Sequence, residues 1–205
     1  VILAIDTSSA ISAALLDGDR VVAAASEHAP RSHAELLAPM VKSVLSAGAN
    51  PEIERVVVGT GPAPFTGLRV GLVTARTLAF AWSVPVVGVC SLDAIGAAHG
   101  GSVTVVSDAR RKEVYWATYR DAVRTAGPFV GLPGEVPTEA AVVGRGATLY
   151  PEDCPSVEEA SEGFLDPDPA WLVRVVARFE AAGVTDFPTV PLYLRRPDVH
   201  GVSAA

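Results

Sequence analysis

An apolar run ending in aspartate occurs twice in this chain, as Val1-Ile2-Leu3-Ala4-Ile5-Asp6 and as Val103-Thr104-Val105-Val106-Ser107-Asp108, roughly 100 residues apart. Each is followed by a stretch that reads as a returning strand, Ile11–Leu16 after the first and Val114–Tyr119 after the second. Two hairpins with an acid at the first bend predict an internal duplication, and so two related lobes.

The composition agrees with a folded chain of that size. Of 205 residues, 49% are hydrophobic and 19% charged, and the mean hydropathy is +0.34, so a sizeable core forms and wholesale disorder is excluded. Glycine and proline show no period, no heptads persist, and Cys90 and Cys154 are the only cysteines. Collagen-like, coiled-coil and disulfide-framework classes are thereby excluded, and a reducing cytosol is expected. The first residues show neither a basic segment nor a small-residue cleavage site. The longest apolar stretch, Val70 to Cys90, contains Arg76 and Pro85 and reads as a buried helix followed by a strand. A soluble, cytoplasmic protein is expected. The net charge of −7 opposes tight unaided binding to nucleic acid. Two basic clusters, Arg110-Arg111-Lys112 and Arg195-Arg196, read as solvated charges on a loop and a terminus.

Between the two hairpins the punctuation predicts two helices. A third strand, Arg20–Ser26, follows the turn Asp17-Gly18-Asp19. Ser32 and Glu35 form a capping box for a helix ending at Gly48, with Pro39 expected to kink it. Its stripe covers two adjacent rows, Leu36/Met40/Val44 and Leu37/Val41/Leu45. After a strand at Arg55–Thr60, a Gly- and Pro-rich turn leads to a second helix from Thr66, its expected N-cap, to Trp82. Gly67, Gly71, Ala75 and Ala79 fall at i+4 spacing there, with Leu72, Val73, Arg76 and Phe80 around the rest. Val84–Cys90 reads as a strand, and a boundary is expected near residues 97–102. Residues 132–169 are the least regular, with a short strand near Ala141–Gly144. Ala170–Ala182 reads as a helix and Pro191–Arg196 as a short terminal strand or an extended arm.

The usual catalytic signatures are missing. There is no Gly-Lys pair for a Walker loop, and Pro64 stands where a dinucleotide fingerprint needs glycine. The histidines, His28, His33, His99 and His200, show no i, i+4 pairing, and no Cys-x-x-Cys or Gly-x-Ser-x-Gly occurs. Asp6 and Asp108 are the best candidates for carboxylates facing across a cleft, where they would hold a magnesium-bound phosphate. Thr7-Ser8-Ser9 leave room for phosphate after the first; Ala109-Arg110-Arg111-Lys112 crowd the second. One half of a nucleotide cradle is kept and the other lost, so Asp6, Thr7, Ser8, Ser9 and Asp108 are read as a vestigial nucleotide cleft.

Four strings carry a resemblance: Ala4-Ile5-Asp6-Thr7-Ser8, Gly61-Pro62-Ala63-Pro64-Phe65-Thr66-Gly67-Leu68-Arg69-Val70-Gly71, Asp108-Ala109-Arg110-Arg111-Lys112-Glu113-Val114-Tyr115-Trp116 and Pro191-Leu192-Tyr193-Leu194-Arg195. Together the chain resembles the TsaB (YeaZ) family of bacterial tRNA threonylcarbamoyladenosine biosynthesis proteins, from residue 1 to about 197, departing at Ala63-Pro64 where Gly-Ser is usual. The resemblance implies an α/β fold of the ASKHA (actin/Hsp70-like, ribonuclease H-like) type. Two related βαβ lobes with mixed sheets are expected, an N-terminal lobe over residues 1–98 and a smaller C-terminal lobe over 99–205. It implies a non-catalytic partner of TsaD, the paralogue that transfers the threonylcarbamoyl group. Where TsaD carries two metal-binding histidines, this chain has Ser91 and Ile95, so no metal or other cofactor is expected. The expected partners are a TsaD-like paralogue, a TsaE-like ATPase and tRNA through the complex, with a homodimer when alone and no membrane. The expected partner surface is Leu36, Leu37, Met40, Val41, Val44, Leu72, Val73, Arg76 and Phe80. The competing reading is a free-standing ASKHA enzyme, a nucleotide-dependent kinase or a glycoprotease-type metal peptidase.

Overall fold

In the computed structural model, the described residues are 1–29, 32–154 and 164–195. The chain forms two sheets with the same strand plan. In the first, β1 (Ile2–Asp6) pairs antiparallel with β2 (Ile11–Asp17) and parallel with β4 (Arg55–Gly59). The edges are β3 (Arg20–Glu27) and β5 (Val86–Val89), giving the order β3-β2-β1-β4-β5. In the second, β6 (Ser102–Arg110) pairs antiparallel with β7 (Glu113–Arg120) and parallel with β9 (Ala141–Val143), and β8 (Val123–Gly131) closes the order β8-β7-β6-β9. The expected duplication is thus present strand for strand, with one strand fewer in the second copy. These are the two mixed-sheet lobes of an ASKHA-type fold.

The two faces of the first sheet explain its continuous apolar runs, because a strand covered on both sides has no polar alternation. Leu3, Ile5, Val56 and Val58 face helices α1 (His33–Ala47) and α2 (Phe65–Trp82), meeting Leu37, Val41, Leu68 and Leu72. Ala4, Val57, Val87 and Val89 face the other way, onto Leu172, Val175 and Val176 of α5 (Pro169–Ala181). That helix belongs to the second span in sequence yet covers the first sheet. Helix α3 (Ser91–His99) packs Leu92 and Ile95 against Val105, Tyr115 and Tyr119 of the second sheet, while touching α5. The short α4 (Arg145–Leu149) covers that sheet's opposite face, beside Val106 and Trp116.

Several local expectations need correction. The start of α2 is Phe65, with Pro64 rather than Thr66 at the N-cap. Ser32 does cap α1 in position, but its side chain makes no capping hydrogen bond. Gly48 ends α1 at φ −84°, and the left-handed residues are Ala49 and Asn50. The glycine is needed for packing instead, since a Cβ there would stand 2.7 Å from Leu15 Cδ1. Helix α3, strand β8 and helix α4 have no counterpart in the sequence reading. Arg196 and His200 lie outside the described residues.

Candidate functional site

A cleft of about 380 Å³ opens between the lobes. Its first-lobe wall is the turn after β1 (Thr7, Ser8, Ser9) and the start of α2; Asp108, Arg110 and Arg145 form the opposite wall. The turn of Thr7, Ser8 and Ser9 and Asp108 thus line one cleft.

Asp6 is not part of that cleft. It is fully buried, and its carboxylate is consumed inside the first lobe. Oδ1 accepts the Ser8 amide at 2.7 Å and the Ser8 hydroxyl at 2.6 Å, and Oδ2 accepts the Ser91 hydroxyl at 2.5 Å. Ser91 Oγ in turn accepts the Gly61 amide at 3.1 Å. Gly59 on β4 closes the site from the side, because a Cβ there would lie 1.8 Å from Asp6 Oδ2. Burial pushes Asp6 from an ordinary 3.8 up to about 6, against the lowering effect of the Ser8 and Ser91 hydrogen bonds. An aspartate so enclosed cannot reach a metal-bound phosphate in the cleft.

Asp108 repeats the local geometry with a different outcome. Its Oδ1 accepts the amide two residues on, Arg110 N–H, at 2.7 Å, as Asp6 does with Ser8. This shared turn is independent support for the duplication. Asp108 remains at the cleft wall, where Arg110 Nη1 pairs with its Oδ2 at 3.0 Å. The crowding expected from Arg110 is thus an ion pair with Asp108 at the cleft wall. On the same wall Arg145 forms a two-pronged pair with Asp166, Nε to Oδ1 at 2.8 Å, and Ser9 donates to the same oxygen at 2.5 Å. Burial pushes Asp166 up, but these hydrogen bonds overcome it and hold the group below the ordinary carboxylate value. His33 also lines the cleft; burial first, then the charges of Arg110 and His28, hold its pKa below the ordinary value. Among the described residues, no three of His, Cys, Asp and Glu converge closely enough to hold a metal ion. Ile95, at the position of the second expected histidine, is buried in the second-lobe core.

A second polar cluster, unseen in the sequence, lies beneath α3. Tyr119 O–H donates to Asp93 Oδ1 at 2.8 Å, and Arg124 Nε stands 3.5 Å from the same oxygen. Burial pushes Asp93 and Tyr119 up, Asp93 against the opposing charge of Arg124. Gly96 permits this approach, since a Cβ would meet the Tyr119 ring at 2.5 Å. These groups tie α3 to β7 and β8 and contact no open wall of the main cleft.

On the expected partner surface the structure divides the residues. Leu37, Met40, Val41, Val44 and Leu72 are buried in this chain's own core, and Leu36 is half-buried. Those five offer no surface to a partner. Val73 at 59% and Phe80 at 88% exposure stand outside, and Arg76 is exposed with Nε donating to Thr189 Oγ1 at 2.9 Å. The small row faces inward: Ala75 and Ala79 lie in the core beneath the first sheet, and a Cβ on Gly71 would meet Thr7 Oγ1, in the turn after β1, at 2.3 Å. Apolar side chains nonetheless remain on the outer face of α2.

Comparison with known proteins agrees with this geometry. The family model described as "TsaD: tRNA N6-adenosine threonylcarbamoyltransferase" matches residues 24–135. An uncharacterized protein of Mycobacterium tuberculosis is 42% identical over 209 residues, covering 96% of this chain and 92% of that one. An uncharacterized protein of Mycobacterium leprae is also 42% identical, over all of this chain but 57% of its own length. The Escherichia coli protein named tRNA threonylcarbamoyladenosine biosynthesis protein TsaB is 36% identical over 126 residues, 58% of this chain and 54% of that one. The chain thus spans little more than half the length of these last two relatives. Among solved structures, YeaZ from Pseudomonas aeruginosa superposes with a TM-score of 0.78 at 28% identity, covering 94% of this chain and 99% of that one. The chain belongs to the TsaD family, standing in it with the TsaB (YeaZ) proteins.

Proposed function

We propose that this chain is a non-catalytic subunit required for threonylcarbamoylation of the adenosine beside the tRNA anticodon, acting as scaffold and activator of a TsaD-type transferase. The observation that carries this reading is the filled site at the start of α3. Ser91 is bound to Asp6 and to the Gly61 amide, and Ile95 is packed in the core, at the positions where the catalytic paralogue carries histidines. The Arg110–Asp108 pair at the cleft wall supports the same reading. A TsaE-like ATPase completes the proposed complex, tRNA is met through that complex, and the location is cytoplasmic. Among the described residues no helix is long and apolar enough to cross a membrane.

The partner face we propose is the outer side of α2, with Val73, Arg76 and Phe80, bordered by the small exposed residues Ala34 and Ala38 of α1. Small side chains beside exposed apolar ones let two helices approach, so a matching pair completes a four-helix bundle with TsaD, or with a second copy when TsaD is absent. We take residues 1–98 and 99–205 as its two lobes, with α5 crossing back onto the first. The test is reconstitution: tRNA modification by TsaD and its remaining partners, with and without this chain. Modification equally fast in its absence overturns the scaffold. Robust ATP turnover by the chain alone, lost on Asp6→Ala or Asp108→Ala, would establish the enzyme reading instead.

A further inference from the structure

A second cavity, of about 320 Å³, lies away from the main cleft, where the β5 edge of the first sheet meets the second lobe. Its walls include Gly88 of β5, Phe179 of α5, and Phe187 and Leu192 of the segment after α5. Asp93 of α3 and Arg124 of β8 line it as well. Such a space holds roughly ten waters at liquid density, or one small ligand of similar bulk. Phe179, Phe187 and Leu192 give it an apolar surface, which water alone leaves wet.

Arg124 is the polar group left incomplete there. Its Nε stands 3.5 Å from Asp93 Oδ1, but its Nη1 is buried with no hydrogen-bond partner among the described residues. The Cys90 thiol beside it is a weak acceptor, and burial, then the charge of Asp93, pushes that thiol up to about 12, so no thiolate meets the guanidinium. A buried donor on a charged group is costly without an acceptor. The local charge selects which acceptor completes it. Asp93 and Asp186 both line the cavity against the one guanidinium. A carboxylate ligand would bring a third negative group, and a cationic ligand would leave Nη1 unmet beside a like charge. An uncharged carbonyl oxygen accepts from Nη1 without adding a charge to desolvate, and an apolar body covers the remaining walls.

We infer that this cavity binds a small uncharged ligand with an aromatic or branched apolar body and one carbonyl oxygen, which accepts from Arg124 Nη1. The site is separate from the main cleft and from the outer face of α2, and it does not depend on the scaffold reading. Because β5, α3, β8 and the segment after α5 all reach it, an occupant bridges the edges of the two sheets.

The experiment titrates benzamide into the full chain and follows backbone amides and the Arg124 guanidinium by heteronuclear NMR. Benzoate and benzylamine serve as charged counterparts of similar size. Benzamide is expected to shift Gly88, Leu192 and the Arg124 guanidinium saturably, and to bind at least about fivefold more tightly than either charged compound. Its ring protons should give Overhauser contacts to Phe187 and Leu192. The double variant Asp93→Asn/Arg124→Met removes the donor without stranding its buried partner charge. It is expected to weaken benzamide by about tenfold or more, the worth of a hydrogen bond to a charged group. Unchanged affinity in that variant overturns the inference. Tighter binding of benzoate or benzylamine overturns it too, as do shifts that never saturate or that stay within the main cleft or α2. Should the double variant fail to fold, the wild-type contacts decide: without Overhauser contacts to Phe187 and Leu192 the ligand is not in the cavity, and the inference fails. Cavity peaks that move on addition of TsaD and at no concentration of benzamide would assign the space to a partner's side chain instead.

Discussion

Burying a carboxylate costs several kcal/mol unless hydrogen bonds replace its hydration, and Asp6 recovers only part of that from Ser8 and Ser91. The remainder appears as its raised pKa, about 6 against an ordinary 3.8. Between those values the folded chain holds a proton that the unfolded chain has released, so stability falls as pH rises through this window. The difference corresponds to about 2 kcal/mol less stability at pH 7 than at pH 4 from this one group. Asp6→Asn has no proton to lose, and its urea midpoints between pH 4 and 7 are expected to fall less steeply by that amount. An identical fall in the variant would assign the effect elsewhere. The same enclosure makes Gly59 intolerant. In Gly59→Ala the new methyl would lie 1.8 Å from Asp6 Oδ2 and 2.5 Å from Ser91 Oγ, so a loss of about 3 kcal/mol or more is expected by thermal or chemical unfolding. Near-native stability there would mean that the carboxylate can move aside.

At the scale of elements, the distribution of burial on α1 and α2 decides which substitutions report on partners. Met40 is buried, so Met40→Glu would place an unpaired charge in the core and unfold the chain rather than test an interface. Phe80 is 88% exposed, so Phe80→Glu is expected to change monomer stability by no more than about 0.5 kcal/mol. It should nonetheless weaken self-association or TsaD binding at least tenfold, read by sedimentation at several concentrations. Full-strength association would move the partner face away from α2. The paired rows of α1 and the small row of α2 were readable because each helix covers a sheet on one side, which imposes a period on the sequence. Helix α3 was not readable, because Ser91 through Ala97 are buried all round and leave no polar face to mark the period. Strand β8 hides for another reason: Val123–Gly131 mixes half-buried and exposed positions and includes Gly127-Pro128, which reads as a turn. The cleft was half legible. Asp108 lies where the strand-end pattern puts it, whereas the enclosure of Asp6 depends on Gly59 and on Ser91, 85 residues away in sequence.

Across the whole molecule, the segment after α5 does what neither lobe does alone. Gly88 N–H on β5 donates to Phe187 O at 3.1 Å, and Leu192 N–H donates to Thr60 O at 2.9 Å, which lays residues 187–192 along the edge of the first sheet. Tyr193 then stacks on Phe65 at 5.0 Å between ring centroids and accepts from Arg69 Nε at 3.1 Å, at the start of α2. Leu192 and Leu194 reach the second-lobe core, and Arg195 ends on Ala109 and Glu113. One extended stretch thus contacts the start of α2, the sheet edge and the second lobe in succession, adding to the packing of α3 and α5 that already joins the two sheets. Its seat depends on Gly88, where a Cβ would stand 2.3 Å from Pro188 O, a backbone atom that cannot swing away. Gly88→Ala is expected to lift the arm while sparing the interior of both sheets. Hydrogen exchange at the Leu192 amide should accelerate at least tenfold, about 1.4 kcal/mol of local stability, with the amides of β1 and β6 unchanged. Protection retained at Leu192 would show that Tyr193, Leu194 and Arg195 hold the arm without the β5 edge. Equal acceleration in β1 would show instead that arm and sheet open as one unit.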